Sequence, residues 1–217
     1  MTRLPLLFGA VAALAASAAA AVVTGLSSRA SRYEEPAFEV VRSLPTFEVR
    51  RYAPTVEAQV TMPGSYNQAV RGAFGVLAGY IFGGNAPRTS IAMTTPVSAQ
   101  PAGQTIAMTT PVSAAAGPAG WTVSFTMPSG WTLDTLPAAN DDRVRLVAQP
   151  GVTWAVRGFG GRATDGVVTA ELATLRRDAE AASLVLGETS IVSQFDPPWV
   201  LGPFRRNEVR WMVVGGA

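Results

Sequence analysis

Twice along this chain a strand-like segment runs into a helical one, and further strands follow each time. "TVEAQVTM", Thr55 to Met62, alternates apolar and polar residues over most of its length, the period of a strand with one buried face. Pro63-Gly64 ends it, and Ser65 with Gln68 three residues later forms a capping box. Tyr66, Ala69, Val70, Ala73, Phe74, Leu77, Tyr80 and Ile81 then recur at helical spacing until "GGN", Gly83 to Asn85, stops the pattern. Gly72, Gly75 and Gly79 each weaken this helix by about 1 kcal/mol relative to alanine and leave one face thin. In the second half, "RVRLVAQPG" and "VTWAVRGFGG" read as a strand pair joined by Pro150-Gly151. A helical pattern follows from about Asp165 to Leu186, on Val168, Leu172, Leu175, Ala179 and Ala182. Segments at Phe38–Val41, Phe47–Arg50, "WTVSFTMPSG", "SIVSQFDPPWV" and "FRRNEVRWMVV" supply further strands, and "FEVRRY" echoes "WAVRGF". This order implies an α+β fold with pseudo-two-fold symmetry, whose two halves can join their sheets into a barrel-like body with a helix on each side.

Length and composition narrow the chemistry. The 217 residues allow one domain with an appendage or two small domains, and 48% apolar residues suffice for a core. The chain has no cysteine and no histidine, and all 17 basic residues are arginine. Disulfides, thiolate and imidazole metal ligation, histidine acid–base catalysis, a Schiff-base lysine and a P-loop are therefore excluded. The net charge is +2, and arginines and acids are interspersed, which is the pattern of a solvated mixed surface rather than a nucleic-acid patch.

The first residues read as a targeting segment. Arg3 precedes an uncharged run from Leu4 to Ser28, with small-residue cleavage sites around Ala16-Ser17-Ala18. The run is either a cleaved signal peptide or an uncut membrane anchor, since about 20 apolar residues span a bilayer. Residues 1–28 are thus expected to be separate from a domain over residues 33–217, located in the periplasm or otherwise exported, with inner-membrane attachment if the run is uncut.

The phrase IAMTTPVSA occurs twice, at Ile91–Ala99 and Ile106–Ala114. Ile91, Met93 and Val97 share one strand face, and Pro96 belongs at an edge, bulge or strand end. A tandem duplication forming a hairpin of two like strands is the simplest reading; a single paired copy with the other looped out is the alternative. Met93 and Met108 read as packing residues rather than ligands.

"FEVRRYAP", "YIFGGN", "IAMTTPV", "FTMP", "FDPP" and "RRNEV", in this order over roughly residues 36 to 214, resemble the SOUL haem-binding protein family. The resemblance implies a distorted β-barrel of two pseudo-symmetric halves with two flanking helices, and non-catalytic binding of haem or a related tetrapyrrole in a shallow apolar cleft. It maps that cleft onto Arg71, Phe74 and Ala78 of the first helix and Phe195, Trp199 and Val200 of the loop before the last strand. Arg71, Phe74 and Ala78 stand at i, i+3 and i+7, near one helix face. An arginine pairs with a propionate carboxylate, and aromatic rings cover a porphyrin face. The same residue types equally serve as a solvated arginine and a core phenylalanine. Some family members are thought to ligate iron through histidine, and some relatives carry a cleft lysine; here there is no histidine and Val200 takes the lysine's place. Axial ligation is left to Tyr66, Tyr80, a methionine or an exogenous ligand.

Two other functions compete. One is a binder of other planar or amphipathic molecules on the same fold. The other is a hydrolase using Glu57 or Glu48 as base, although no paired-carboxylate motif or nucleophile triad is present.

Overall fold

The computed structural model describes residues 33–86, 103–196 and 199–216. The expected targeting segment (1–28), the first copy of the repeated phrase and Met93 lie outside the described residues. In chain order the elements are β1 (Phe38–Ser43), β2 (Glu48–Tyr52), β3 (Thr55–Met62), α1 (Tyr66–Ile81), β4 (Asn85–Ala86), β5 (Val112–Gly117) and β6 (Gly120–Thr126). There follow β7 (Ala138–Ala139), β8 (Arg145–Gln149), β9 (Thr153–Gly160), α2 (Asp165–Ala181), β10 (Val185–Gln194), a 3-10 turn (Gly202–Phe204) and β11 (Arg206–Gly215).

Nine strands form one antiparallel sheet in the order β1-β2-β9-β11-β10-β5-β6-β3-β8, and β4 pairs with β7. The sheet is not closed: β1 and β8 are its edges, which corrects the expected barrel. The expected two halves are visible in the topology. Exchanging β2, β3, β5 and β6 for β8, β9, β10 and β11 reverses the order of those eight strands, and α1 follows β3 as α2 follows β9. The echo of "FEVRRY" in "WAVRGF" is not this symmetry. Those segments are β2 and β9, which pair directly through Val49 and Ala155.

The expected β8–β9 pair is also corrected: β8 pairs with β3, and β9 lies between β2 and β11. The link between them is a crossing, packed against the pseudo-two-fold-related link from β2 to β3. Tyr52 donates its amide to the Val152 carbonyl at 3.0 Å, and a Cβ on Gly151 would lie 3.0 Å from the Tyr52 carbonyl oxygen. Only glycine fits this approach without a shift.

One face of the sheet carries both helices. Val49, Ala58, Val60, Val123, Phe125, Ala155, Val192 and Val209 pack there with Leu77 and Tyr80 of α1 and Val168 and Leu175 of α2. The opposite face is mixed yet largely buried, because the sheet curls over it: it holds a small apolar cluster of Tyr52, Trp154 and Val156 beside Ser113, Ser193, Glu208 and Arg210, all under 10% exposed. Ser113 and Ser193 share a hydrogen bond of 3.0 Å.

α1 starts as expected, with the Ser65 amide donating to the Gln68 side chain at 3.0 Å. α2 ends at Ala181, short of the expected Leu186. Ser183 takes a left-handed φ of 64°, and the chain enters β10 at Val185. The second copy of the repeated phrase is regular strand only in its last three residues. Ile106 is buried and donates its amide to the Ile81 carbonyl; regular strand begins only at Val112, after Pro111. Both edges of β5 are taken, by β6 and β10.

Candidate functional site

α1 lies across β3 and β6, which buries Tyr66, Ala69, Ala73, Leu77, Tyr80 and Ile81 and turns the opposite side of the helix outward. Arg71 and Gly75 are exposed there, Gly79 is exposed, and Ala78 is half-buried. Two neighbouring ridges run along this face, Arg71–Gly75–Gly79 and Phe74–Ala78, each at four-residue spacing. Phe74 is 39% exposed and packs edge-on against Phe125 of β6, with ring centres 5.5 Å apart. A Cβ built on Gly75 or Gly79 meets no atom within 4 Å, so this face is bare backbone. Arg71 makes no ion pair among the described residues.

The glycine ridge is one wall of an open cavity of about 890 Å³. The other wall is the Asn140–Arg143 loop, tied to the end of α1 by the Asn140 amide donating to the Gly84 carbonyl at 3.2 Å. In that loop Arg143 chelates Asp141 through Nε at 2.9 Å and a terminal nitrogen at 2.6 Å. These bonds hold the Asp141 carboxyl at about 2, well below its ordinary range. Sequence reasoning noted the thin glycine face but did not place it in the site, and it missed the Asn140–Arg143 wall. The only signal was "NDDR" after a turn, which any exposed loop displays.

The loop half of the expected cleft is placed differently. Phe195 is buried, its ring covered by the Arg206 guanidinium at 3.8 Å. The Val200 carbonyl accepts from Arg205 Nε at 2.8 Å, and Trp199 stands 77% exposed. The 3-10 turn that follows packs by β9, on the other half of the sheet from α1. One link reaches α1: Gln194, just before the loop, donates to the Tyr66 hydroxyl at 2.6 Å. Tyr66 begins α1, and Phe74 lies about 12 Å further along its axis. Among the described residues, then, Arg71, Phe74 and Ala78 share the outer face of α1, and Phe195 and Val200 are held by Arg206 and Arg205 rather than by those three, with Trp199 exposed between them.

Neither tyrosine of α1 is exposed on the outer face, although Tyr80 borders the cavity beside it. Tyr80 is buried and donates to the Pro137 carbonyl at 2.9 Å. Tyr66 is buried, and burial pushes its hydroxyl up to about 12 against the opposing bond from Gln194. This corrects the expectation that either could ligate iron at that face. Met108 is part of the core, as expected. No cluster of three acidic residues suited to a metal ion occurs among the described residues.

The carboxylates considered as bases are engaged. Glu57 accepts from the Gln59 amide at 2.9 Å, and Glu48 pairs with Arg50 at 2.7 Å. The buried carboxylate is instead Glu208, which sequence reasoning did not single out, although "RRNEV" contains it and "FEVRRY" carries its partner Arg50. Burial pushes the Glu208 carboxyl up, but Arg210 and Arg50 together outweigh it and hold it below the ordinary range, ionised and saturated. Arg50 also lies over Phe38 at 4.5 Å, and Arg210 over Tyr52 at 4.6 Å.

A family model described as SOUL heme-binding protein matches residues 33–213. No curated protein sequence matches the chain. Among solved structures, the EcmrR C-terminal domain is similar at 13% identity and TM-score 0.50, over 80% of this chain and all of that one. A hydrolase from Listeria innocua is similar at 14% identity and TM-score 0.47, over 77% of this chain and 91% of that one. SAV2435 bound to tetraphenylphosphonium is similar at 9% identity and TM-score 0.42, over 78% and 94%. These likenesses concern fold, whereas the family match runs through both halves of the sheet and both helices: the chain belongs to the SOUL heme-binding protein family.

Proposed function

We propose that this protein binds a tetrapyrrole, haem or a metal-free porphyrin, flat against the outer face of α1, and does no chemistry on it. The observation that carries the reading is the bare backbone at Gly75 and Gly79 beside a half-exposed Phe74 and an exposed Arg71. A planar ring lies flush on such a face, Phe74 borders it, and Arg71 meets a propionate. The adjoining cavity is within the roughly 300–1,000 Å³ of small-molecule sites. These residues fit the macrocycle and offer its metal no axial side chain. Bound haem would contribute redox and gas-binding chemistry; this chain's residues contribute apolar contact, orientation and one guanidinium. The engaged states of Glu48, Glu57 and Glu208 support a binding role over hydrolysis. The uncharged Leu4–Ser28 run supports a location outside the cytoplasm.

The missing axial ligand favours a second reading, capture of another planar amphipathic molecule at the same face. Titration of haemin followed by the Soret band separates the two. Saturable one-to-one binding is expected, weakened roughly tenfold, about 1.4 kcal/mol, by Gly79→Leu and by Arg71→Ala. Binding unchanged in both variants means adventitious adsorption and overturns the site. Saturation by metal-free protoporphyrin alone, read by fluorescence, restricts the ligand to metal-free rings, and failure of both leaves the second reading.

A further inference from the structure

Three large apolar side chains crowd one short exposed loop. Trp199 is 77% exposed, Leu201 70% and Phe204 60%. The loop is nevertheless built. Phe204 donates its amide to the Leu201 carbonyl at 2.9 Å, Arg205 donates to Gly202 at 3.0 Å, and Arg205 Nε closes onto the Val200 carbonyl. In such a 3-10 turn residues three apart eclipse, so Leu201 and Phe204 stand on the same side. Arginines surround them. Arg205 and Arg206 follow directly, and Arg162 lies beside Gly202, where a Cβ would come within 3.7 Å of its Cγ. The nearby carboxylates of Glu35 and Asp196 are both occupied by Arg206, through its guanidinium and its backbone amide respectively.

We propose that this loop docks the domain on an anionic lipid bilayer, with Trp199, Leu201 and Phe204 entering the interface and the exposed Arg162, which makes no ion pair among the described residues, facing the headgroups. An ordered apolar tip rimmed by arginine is the composition of an interfacial contact. A bilayer, rather than a protein, is indicated by where the chain comes into the domain. The Glu35–Arg206 ion pair fixes that point at the base of this loop. The uncharged run Leu4–Ser28, long enough to cross a bilayer, ends seven residues before Glu35. Seven residues reach at most about 25 Å, so a run seated in the membrane holds the loop near its surface.

The inference is independent of the ligand reading, and its test avoids the α1 face. The chain contains no cysteine, so a single introduced one takes an environment-sensitive fluorophore without competition. Leu201→Cys places it on the loop. Val185→Cys places it on a residue of comparable exposure (57%) at the far end of β10, about 30 Å from the loop's origin. Both full-length proteins are reconstituted into vesicles of phosphatidylcholine with phosphatidylglycerol. The expected result is a blue shift and quenching by brominated lipid at position 201 but not at 185, reduced in pure phosphatidylcholine and at high salt. Equal water exposure of both labels overturns the proposal. So does a blue shift at 201 that grows with protein concentration in detergent without vesicles, which assigns the patch to a second copy.

Discussion

Arg50 of β2 donates to Glu208 of β11 at 2.9 Å, across 158 residues of sequence, and Arg210 binds the same carboxylate at 2.8 Å. This is the polar centre of the curled face, and all three side chains are at most 16% exposed. Removing the carboxylate leaves two guanidiniums without it in a region water barely reaches. Glu208→Gln is expected to cost about 3–5 kcal/mol at pH 7 by urea denaturation. Because Glu208 titrates below its ordinary 4.5 in the fold, its contribution is complete above that pH and is lost as pH falls through the lower folded value. The difference between wild type and variant should therefore shrink under acid; a constant difference from pH 7 to pH 3 would contradict the assignment.

The glycines near the cavity should respond in opposite directions. At Gly79 a methyl group meets nothing, so Gly79→Ala gains up to about 1 kcal/mol from helix propensity. At Gly84 the new Cβ would lie 2.7 Å from the Gly79 carbonyl oxygen, and Gly84→Ala should lose about 1–3 kcal/mol. Thermal melts of the two variants measure both signs.

Tyr66 and Tyr80 are expected to matter for stability and not for the ligand. Tyr66→Phe gives up the bond from Gln194, and Tyr80→Phe the bond to Pro137, each worth about 0.5–1.5 kcal/mol. With its hydroxyl pushed up to about 12, Tyr66 supplies no phenolate at neutral pH. The Soret maximum of bound haemin should be the same in wild type and both variants. A displaced band in either one would restore tyrosine ligation.

Deleting Ile91 to Thr105 regenerates one intact repeat and keeps the second copy's contacts, while Thr89 and Ser90 take the chain positions of Gln104, whose backbone bonds the Asn85 side chain, and Thr105. Ile106 is 1% exposed, Thr109 bonds the Thr126 carbonyl, and Val112–Ala114 join β5 to both of its neighbours. The variant is expected to keep its circular dichroism spectrum and a cooperative melt. Collapse of the melt would give the first copy a structural role of its own.

α1 was legible in the sequence almost to the residue, because a capping box, an apolar period and a Gly-Gly stop all act locally. β3, β6 and β9 were legible for the same reason, through alternation and turn residues. Strand partners were not. Nothing in "RVRLVAQPG" says that β8 joins β3 rather than β9, since a two-residue turn suits both a hairpin and a crossing. Arg71, Phe74 and Ala78 shared a face as their spacing requires. The loop residues were not legible in this way, because the fate of Phe195 depends on Arg206, a neighbour across β10 and β11. The buried Glu208 cluster was invisible for a similar reason: its charges look solvated until the sheet curls.

The reversible strand order has a mechanical consequence. β2, from the first half, is laid against β9 of the second, and β8, from the second half, is laid against β3 of the first. Each half thus lends an outer strand to the other, like two people with linked arms, and the seam between β5 and β10 is locked from both sides. Such halves cannot swing apart as separate bodies without first giving back a strand. Whatever moves when a ligand arrives is confined to the loops at the rim, and the two halves should melt together or not at all.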